Sequence, residues 1–471
     1  MRKGVRVRIY RAHYDDKLMR VLLLTDIPPC SNLTAGLVLE QLCRFMPRGS
    51  LVCFTVLNPH LSVRVSPDLE WIPVAYVRKP WEVAIRWPQS SPLGNVSSWI
   101  VEEYHSRISA RNLLNKAEIF ARTCGIDAIW AVLEGQTMVR MALPLAERLG
   151  VPLFTQVFDP LSWWLRAHGT DAHHSRAALA HFDRTLRASE ACATASKAMA
   201  EAYSTLYGTR CVPVISSHDA TIAARPGHAL SSGSEVTIAM AGQFYAADEW
   251  NSLIRGLKVA NWMIAGRKVR LRVLGAHKPD YGSDLPQIEF LGWKSQPEAV
   301  QILSQADILY CPYPFDAEME EVSRLSFPSK LVLYLASGRP ILFHGPTWSS
   351  PGRYMAEVRA GAICGALVST AVYDELQRLV IDPIHYKEAA LNAHAAFRRD
   401  FTLERMEESF FEFLGRTRES LANASRKPIS FDIPSEMASP PLPPKRFSDL
   451  IKMTRSIGST LHRRIKSIHS A

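Results

Sequence analysis

Ser326-Phe327-Pro328-Ser329-Lys330-Leu331-Val332-Leu333-Tyr334-Leu335-Ala336-Ser337-Gly338-Arg339-Pro340 decides the reading of this chain. The pattern predicts a short helix with a polar, cationic start. Ser329 is placed to cap that start by accepting a backbone N–H bond. Lys330 falls in the first turn, where the helix dipole favours an acidic residue, so a cation there implies an anion close by. Leu331 to Leu335 leave no polar face, which buries the helix on most sides. Gly338 supplies the C-terminal stop, and Pro340 follows it.

The flanks extend the argument. Ala306 to Pro312 and Ile341 to Pro346 are short apolar runs that read as buried strands. Strand, helix, strand with short connections is a parallel unit with a right-handed crossover. Ligands of such sheets bind beyond the carboxyl ends of the strands, where helices begin. A helix start offers free N–H groups to a phosphate, and Lys330 adds a full charge. The competing reading is a plain buried helix whose Lys330 snorkels to solvent.

Bulk properties bound the class. A chain of 471 residues is too long for one core. Its 47% hydrophobic and 21% charged content is that of a soluble globular protein. Sequence alone shows no apolar run long enough to span a membrane, and the basic N-terminus lacks the apolar stretch of a signal peptide. Residues 1–19 read as disordered or mis-started. Eight scattered cysteines without a C-x-x-C pair indicate buried thiols in a reducing cytoplasm rather than zinc or disulfides. Residues 425–471 hold nine Lys or Arg against three acids, so most of the net charge of +10 lies in this tail. The body is only weakly basic, which argues against nucleic acid as a partner.

Strand and helix patterns alternate along two stretches. Residues 20–217 open with the strand from Val21, followed by Ala35-Gly36 and an apolar helix. Later strands begin at Leu51, Asp127 and Val151, the last ending at Asp159-Pro160. Residues 218–234 read as a linker. The alternation restarts over 235–383, with a strand ending at Gly242, a helix over Asp248–Ile264, and strands ending at Gly275 and Gly292. Such alternation indicates open parallel sheets wrapped by helices. Residues 384–424 read as helices that cross back over the junction, 425–446 as a flexible linker, and 447–471 as a basic amphipathic helix for an anionic membrane surface, with a disordered tail or a helix docked on another protein as the competing readings. Anionic lipid would give about 1 kcal/mol per basic residue near the surface.

Gly242-Gln243-Phe244, Leu274-Gly275, Phe290-Leu291-Gly292-Trp293, Ala306-Asp307-Ile308 and Pro328-Ser329-Lys330-Leu331 occur in that order. Together with Tyr334 to Pro340 they resemble the GT-B glycosyltransferases, and most of all the family-4 type that builds bacterial polysaccharides. The resemblance implies an α/β fold of two Rossmann-like domains with parallel sheets facing across a cleft, followed by C-terminal helices and the basic tail. It implies a UDP- or GDP-sugar donor held by the second domain and a glycan or lipid-linked acceptor held by the first. Gly242 and Gln243 would face the donor phosphates, with Gly275 beside them. The backbone at Gly292 and Trp293 would read the base. Pro328, Ser329, Lys330 and Leu331 would cradle the diphosphate, and Gly36 would line the cleft opposite. Asp159 stands where the family often carries a polar residue near the reacting sugar. Many relatives keep two glutamates around this helix, at places here held by Ser326 and Leu333. Glu318, Glu320 and Glu321 lie upstream and could replace the first.

Transfer from a nucleotide sugar needs the departing diphosphate stabilised, which fixed N–H dipoles and a cation do without a metal. No D-x-D element ends a strand, so no metal and no cofactor is expected, with Lys330 and Asp159 as the catalytic pair. The family implies retention of anomeric configuration. The expected location is cytoplasmic, peripheral on the inner membrane face. His168, His173, His174 and His181 cluster in sequence, but their spacing fits no zinc site well, and they read as exposed helix residues. Trp163 and Trp164 after a strand end read as a stacking platform or as core. Glu134, just past a strand, reads as an acceptor-side base or a solvated loop residue. Two other functions fit the same pattern: a non-catalytic glycan-binding or scaffolding protein, and a nucleotide-sugar epimerase.

Overall fold

The computed structural model of the chain describes residues 20–80, 96–97, 99–100, 103–282, 284–417 and 433–442. The expectations for 1–19 and for the basic helix at 447–471 lie outside these residues. Seven parallel strands form the first sheet: β1 Val21–Thr25, β2 Leu51–Leu57, β3 Val74–Arg78, β4 Ala128–Val132, β5 Leu153–Val157, β6 Ala191–Thr194 and β7 Cys211–Pro213. Their spatial order is β3-β2-β1-β4-β5-β6-β7. Every residue of β1, β2, β4 and β5 is buried, as expected for a parallel sheet covered on both faces. On one face lie helices Ala110–Cys124, Gly135–Leu149, Leu161–Ala167 and Ala172–Ala188; on the other lie Thr34–Phe45 and Leu403–Phe413.

The second sheet contains β8 Glu235–Ala241, β9 Met263–Ile264, β10 Arg267–Leu274, β11 Ile288–Gly292, β12 Ile308–Pro312, β13 Ile341–His344 and β14 Gly361–Cys364. Its order is β11-β10-β8-β12-β13-β14, all parallel along that path, with β9 antiparallel at the edge of β10. The reversal between β8 and β12 makes a crevice at their carboxyl ends. The helix expected over Asp248–Ile264 is Ala247–Val259 instead. Asn261 and Trp262 take positive φ, and the Ala265-Gly266 turn folds β9 back on β10. Left-handed backbone cannot continue a helix.

The chain crosses between the two halves twice at one place. His218 N donates to Phe401 O and Leu403 N donates to His218 O, a parallel bridge between His218 and Thr402. Before this point helix Pro383–Asp400 packs on the second sheet; after it Leu403–Phe413 packs on the first. Phe410 and Phe413 enter that core beside Trp130 and Phe154, with ring centroids 4.9 and 5.7 Å apart. Residues 433–442 return to the first sheet, where Met437 is buried near β3. Among the described residues no helix is long and apolar enough to cross a membrane.

Candidate functional site

Three strand ends build one side of the site. Gly242 follows β8, Gly275 follows β10 and Gly292 closes β11. Gly242 N donates to Leu274 O at 3.0 Å, and Gly275 N donates to Gly292 O at 3.1 Å, so the three stand in a row. A Cβ on Gly275 would lie 2.9 Å from the Gly242 carbonyl oxygen. Gly242 adopts φ 102°, which a side chain resists. The row is therefore a ledge of bare backbone. Trp293 stands at its far end, 72% exposed, and Gln243 is half-buried beside Gly242.

The near end of the ledge runs into Lys330. A Cβ on Gly242 would sit 3.3 Å from Lys330 Cβ, so the lysine stem lies along the glycine. Lys330 Nζ turns inward, donates to Pro312 O at 3.0 Å and lies 4.4 Å from the Tyr245 ring centre. The residue is 6% exposed, which excludes the snorkelling reading. Burial pulls its pKa below the usual lysine value, while the Glu249 carboxylate opposes that shift. Glu249 is itself buried, its Oε1 accepting the Phe315 N–H at 2.8 Å. Burial raises its pKa. Composition gave no sign of this buried acid next to the lysine.

The helix that carries Lys330 is Ser329–Ala336, with Pro328 as its N-cap. Ser329 is the first helical residue and is exposed, so it does not cap the helix as expected. Proline holds the extended conformation a cap needs, and no side-chain bond closes the first turn. Leu331 is buried, and its N–H turns back to Pro328 O. Tyr334, read only as apolar filling, is the anchor: its hydroxyl lies 2.7 Å from Ala241 N and 3.0 Å from Ala241 O. Strands β8 and β12 pair only at residues 308–309, so this phenol serves the backbone where they diverge.

The first half supplies side chains to the same place. Asp159, two residues past β5, accepts the Ser326 hydroxyl at 2.8 Å. The residue is exposed to water. The surrounding protein raises its pKa, and the Ser326 bond offsets part of that rise. Glu321 accepts the Ser162 hydroxyl and, at 2.8 Å, Arg166 Nη2. Ser196 Oγ donates to Leu325 O and also accepts the Met199 N–H. The segment 321–326 thus bonds four times to the first half. Phe327 next to it stacks on Phe401 at the chain crossing, with centroids 5.4 Å apart.

Other expected positions are placed elsewhere. Gly36 is buried under its own loop: a Cβ there would lie 2.2 Å from Cys30 Sγ. Trp163 and Trp164 are core residues, 8% and 7% exposed, and not a stacking platform. Leu333, at the second family glutamate place, packs at the edge of the second core. Glu134 precedes the helix Gly135–Leu149 at the carboxyl end of β4. His174 is buried and not an exposed helix residue; it and His173 face Glu103.

No protein-family profile matches the sequence, and no curated protein matches it. Solved structures do. HepE from Anabaena in complex with UDP superposes with a TM-score of 0.57 at 15% identity, over 84% of this chain and 100% of its own. Sucrose-phosphate synthase from Thermosynechococcus elongatus gives 0.57 at 11% identity, over 84% and 98%. The α,α-trehalose 6-phosphate synthase from Burkholderia multivorans gives 0.54 at 14% identity, over 86% and 100%. Two parallel sheets that meet at their carboxyl ends, the double crossing at His218 and Thr402 and these likenesses together establish that the chain has the GT-B fold of glycosyltransferases.

Proposed function

We propose that this protein is a glycosyltransferase that moves a sugar from a nucleoside-diphosphate sugar to a glycan or lipid-linked acceptor. The observation that carries the reading is the bare ledge Gly242–Gly275–Gly292 running into a buried lysine. The diphosphate of a nucleotide sugar is two linked tetrahedral phosphates carrying two negative charges. It needs backbone that can approach closely and a cation held out of water. The Ser329 and Lys330 amides at the uncapped helix start would meet one phosphate, and Lys330 would turn from Pro312 O to the departing oxygen. Preorganised charge of this kind lowers the barrier without a metal. Trp293 would border the base. HepE, with structures holding UDP and UDP-glucose, favours uridine as the base.

The first half would hold the acceptor. Asp159 and Glu321 lie in the neighbourhood of Ser326, the place from which the family carboxylate is missing. One carboxylate comes from across the cleft and one from five residues upstream, which favours an active enzyme over a non-catalytic scaffold. Asp159 is the group placed to stabilise positive charge on the sugar as the donor bond breaks, with retention of configuration the family outcome. The tail 447–471 would bring the enzyme to an anionic cytoplasmic membrane face.

The test is calorimetry with UDP- and GDP-sugars on the full chain and on Lys330→Ala. The wild type should bind one nucleotide sugar, and Lys330→Ala should lose about tenfold or more in affinity, with transfer or donor hydrolysis falling about 10²–10³-fold. Absence of binding by any nucleotide sugar, or equal turnover by the variant, overturns the proposal.

A further inference from the structure

We propose that Glu103, His173 and His174 form a three-ligand site for a zinc-class divalent metal on the first half of the molecule. Glu103 Oε2 lies 3.8 Å from His173 Nε2 and 3.7 Å from His174 Nε2. All three donor atoms are within 4.8 Å of one another. Metal–ligand bonds of about 2.0–2.1 Å at tetrahedral angles place ligand atoms roughly 3.3 Å apart, so a shift of about half an ångström at Glu103 closes each of these pairs. His173 is 58% exposed at its side chain, so its ring has room to move as well.

Adjacent helical residues point about 100° apart and do not normally meet. Here they converge because Asp171 organises the helix start. Its Oδ1 accepts the N–H groups of His173 and His174, and its Oδ2 lies 2.8 Å from His174 Nδ1. A carboxylate only accepts, so the His174 proton sits on Nδ1 and the Nε2 lone pair faces the cluster. That carboxylate–imidazole arrangement is the outer support metal-ligating histidines use. Glu103 is oriented in the same way: Arg107 Nε pairs with Oε1 at 2.5 Å, leaving Oε2 toward the histidines.

Two imidazole nitrogens and one carboxylate oxygen suit zinc, cobalt, nickel or copper, whereas magnesium and calcium need six or more oxygens. Three protein ligands leave one position open. The same residues line a pocket of about 330 Å³ whose wall includes Arg111, Arg140 and His181. Positive charge in that wall opposes a bare cation and favours a metal that carries an anionic fourth ligand. Arg148 contributes less, because Glu118 pairs with it. The pocket lies among helices 110–124, 135–149 and 172–188 of the first half, so this site would serve the acceptor-side domain.

The experiment is a cobalt(II) titration of the full chain after chelator treatment, read by the visible band of tetrahedral cobalt. One saturable band is expected, displaced by zinc and untouched by magnesium. His173→Ala and Glu103→Gln should abolish it, and Asp171→Asn should weaken binding about 10–100-fold. His173 is exposed, so His173→Ala should melt like the wild type by circular dichroism, which separates ligand loss from unfolding. No band, or an equal band in wild type and His173→Ala, overturns the proposal.

Discussion

The two sides of the cleft are made differently. The second half offers backbone: three glycines at successive strand ends, an uncapped helix start and one lysine folded beneath them. The first half offers side chains, with Asp159, Ser162, Arg166 and Ser196 reaching across to the single segment 321–326. Backbone surfaces suit a ligand part that never changes, and a diphosphate is such a part. Side chains suit the part that varies between enzymes. The difference teaches that the ledge tolerates almost no substitution, while the opposite face can be altered residue by residue.

The sharpest way to break this contrast is Gly275→Val. Its Cβ meets the Gly242 carbonyl, which is backbone and has nowhere to go. We expect about 1–3 kcal/mol of lost stability from overpacking and loss of nucleotide-sugar binding by calorimetry. Unchanged binding would show that the ledge is not the phosphate seat. Next in size is Asp159→Asn. The amide oxygen can still accept from Ser326, so the geometry stays while the charge goes. Turnover should fall about 10²-fold with little change in donor affinity; a matching loss of donor affinity would move Asp159 to the donor side.

Acid provides a third probe. His344 lies at the end of β13, its Nδ1 at 2.8 Å from the Tyr310 hydroxyl and its Nε2 at 3.0 Å from Ala366 O. Burial holds its pKa at about 4, and burial does the same for His218 at the crossing. Between the usual value of about 6.5 and 4 the unfolded chain binds more protons than the native one. Stability is therefore full above about pH 6.5 and is lost as pH falls toward 4, with a limiting slope of roughly 1.4 kcal/mol per pH unit for each group. Urea midpoints at several pH values read this, and His344→Gln should flatten the slope. The smallest effect belongs to Arg166→Ala. Its pair with Glu321 leaves Arg166 59% exposed, so the contact between the two halves should weaken by about 0–1 kcal/mol, visible as a small rise in acceptor KM.

The same contrast explains what the sequence disclosed. The ledge was legible because glycine at a strand end and Pro-Ser-Lys at a helix start are local patterns with local causes. The opposite face was not. Ser162 meets Glu321 across 159 residues and Ser196 meets Leu325 across 129, distances no periodicity spans. Trp163 and Trp164 sat at the right strand end for a platform, yet the short helix Leu161–Ala167 turns them into the core. Ser329 had the chemistry of a cap, but Pro328 already held the extended backbone one residue earlier. Tyr334 looked apolar because only the divergence of β8 from β12 gives its hydroxyl a task. The sequence order of His173 and His174 argued against convergence, and only Asp171 at the helix start overrules it.

The crossing at His218 and Thr402 has a consequence for synthesis. The first sheet is complete at residue 213, yet its lower face waits for Phe410 and Phe413 from the far end of the chain. Roughly 200 residues separate the two, about 10–40 s of translation. Through that interval Trp130 and Phe154 lack their aromatic neighbours. A ribosome-bound chain that stops short of residue 400 carries a sheet with one face covered only in part, by the helix Thr34–Phe45, and chaperone capture before the last helix emerges is the expected outcome.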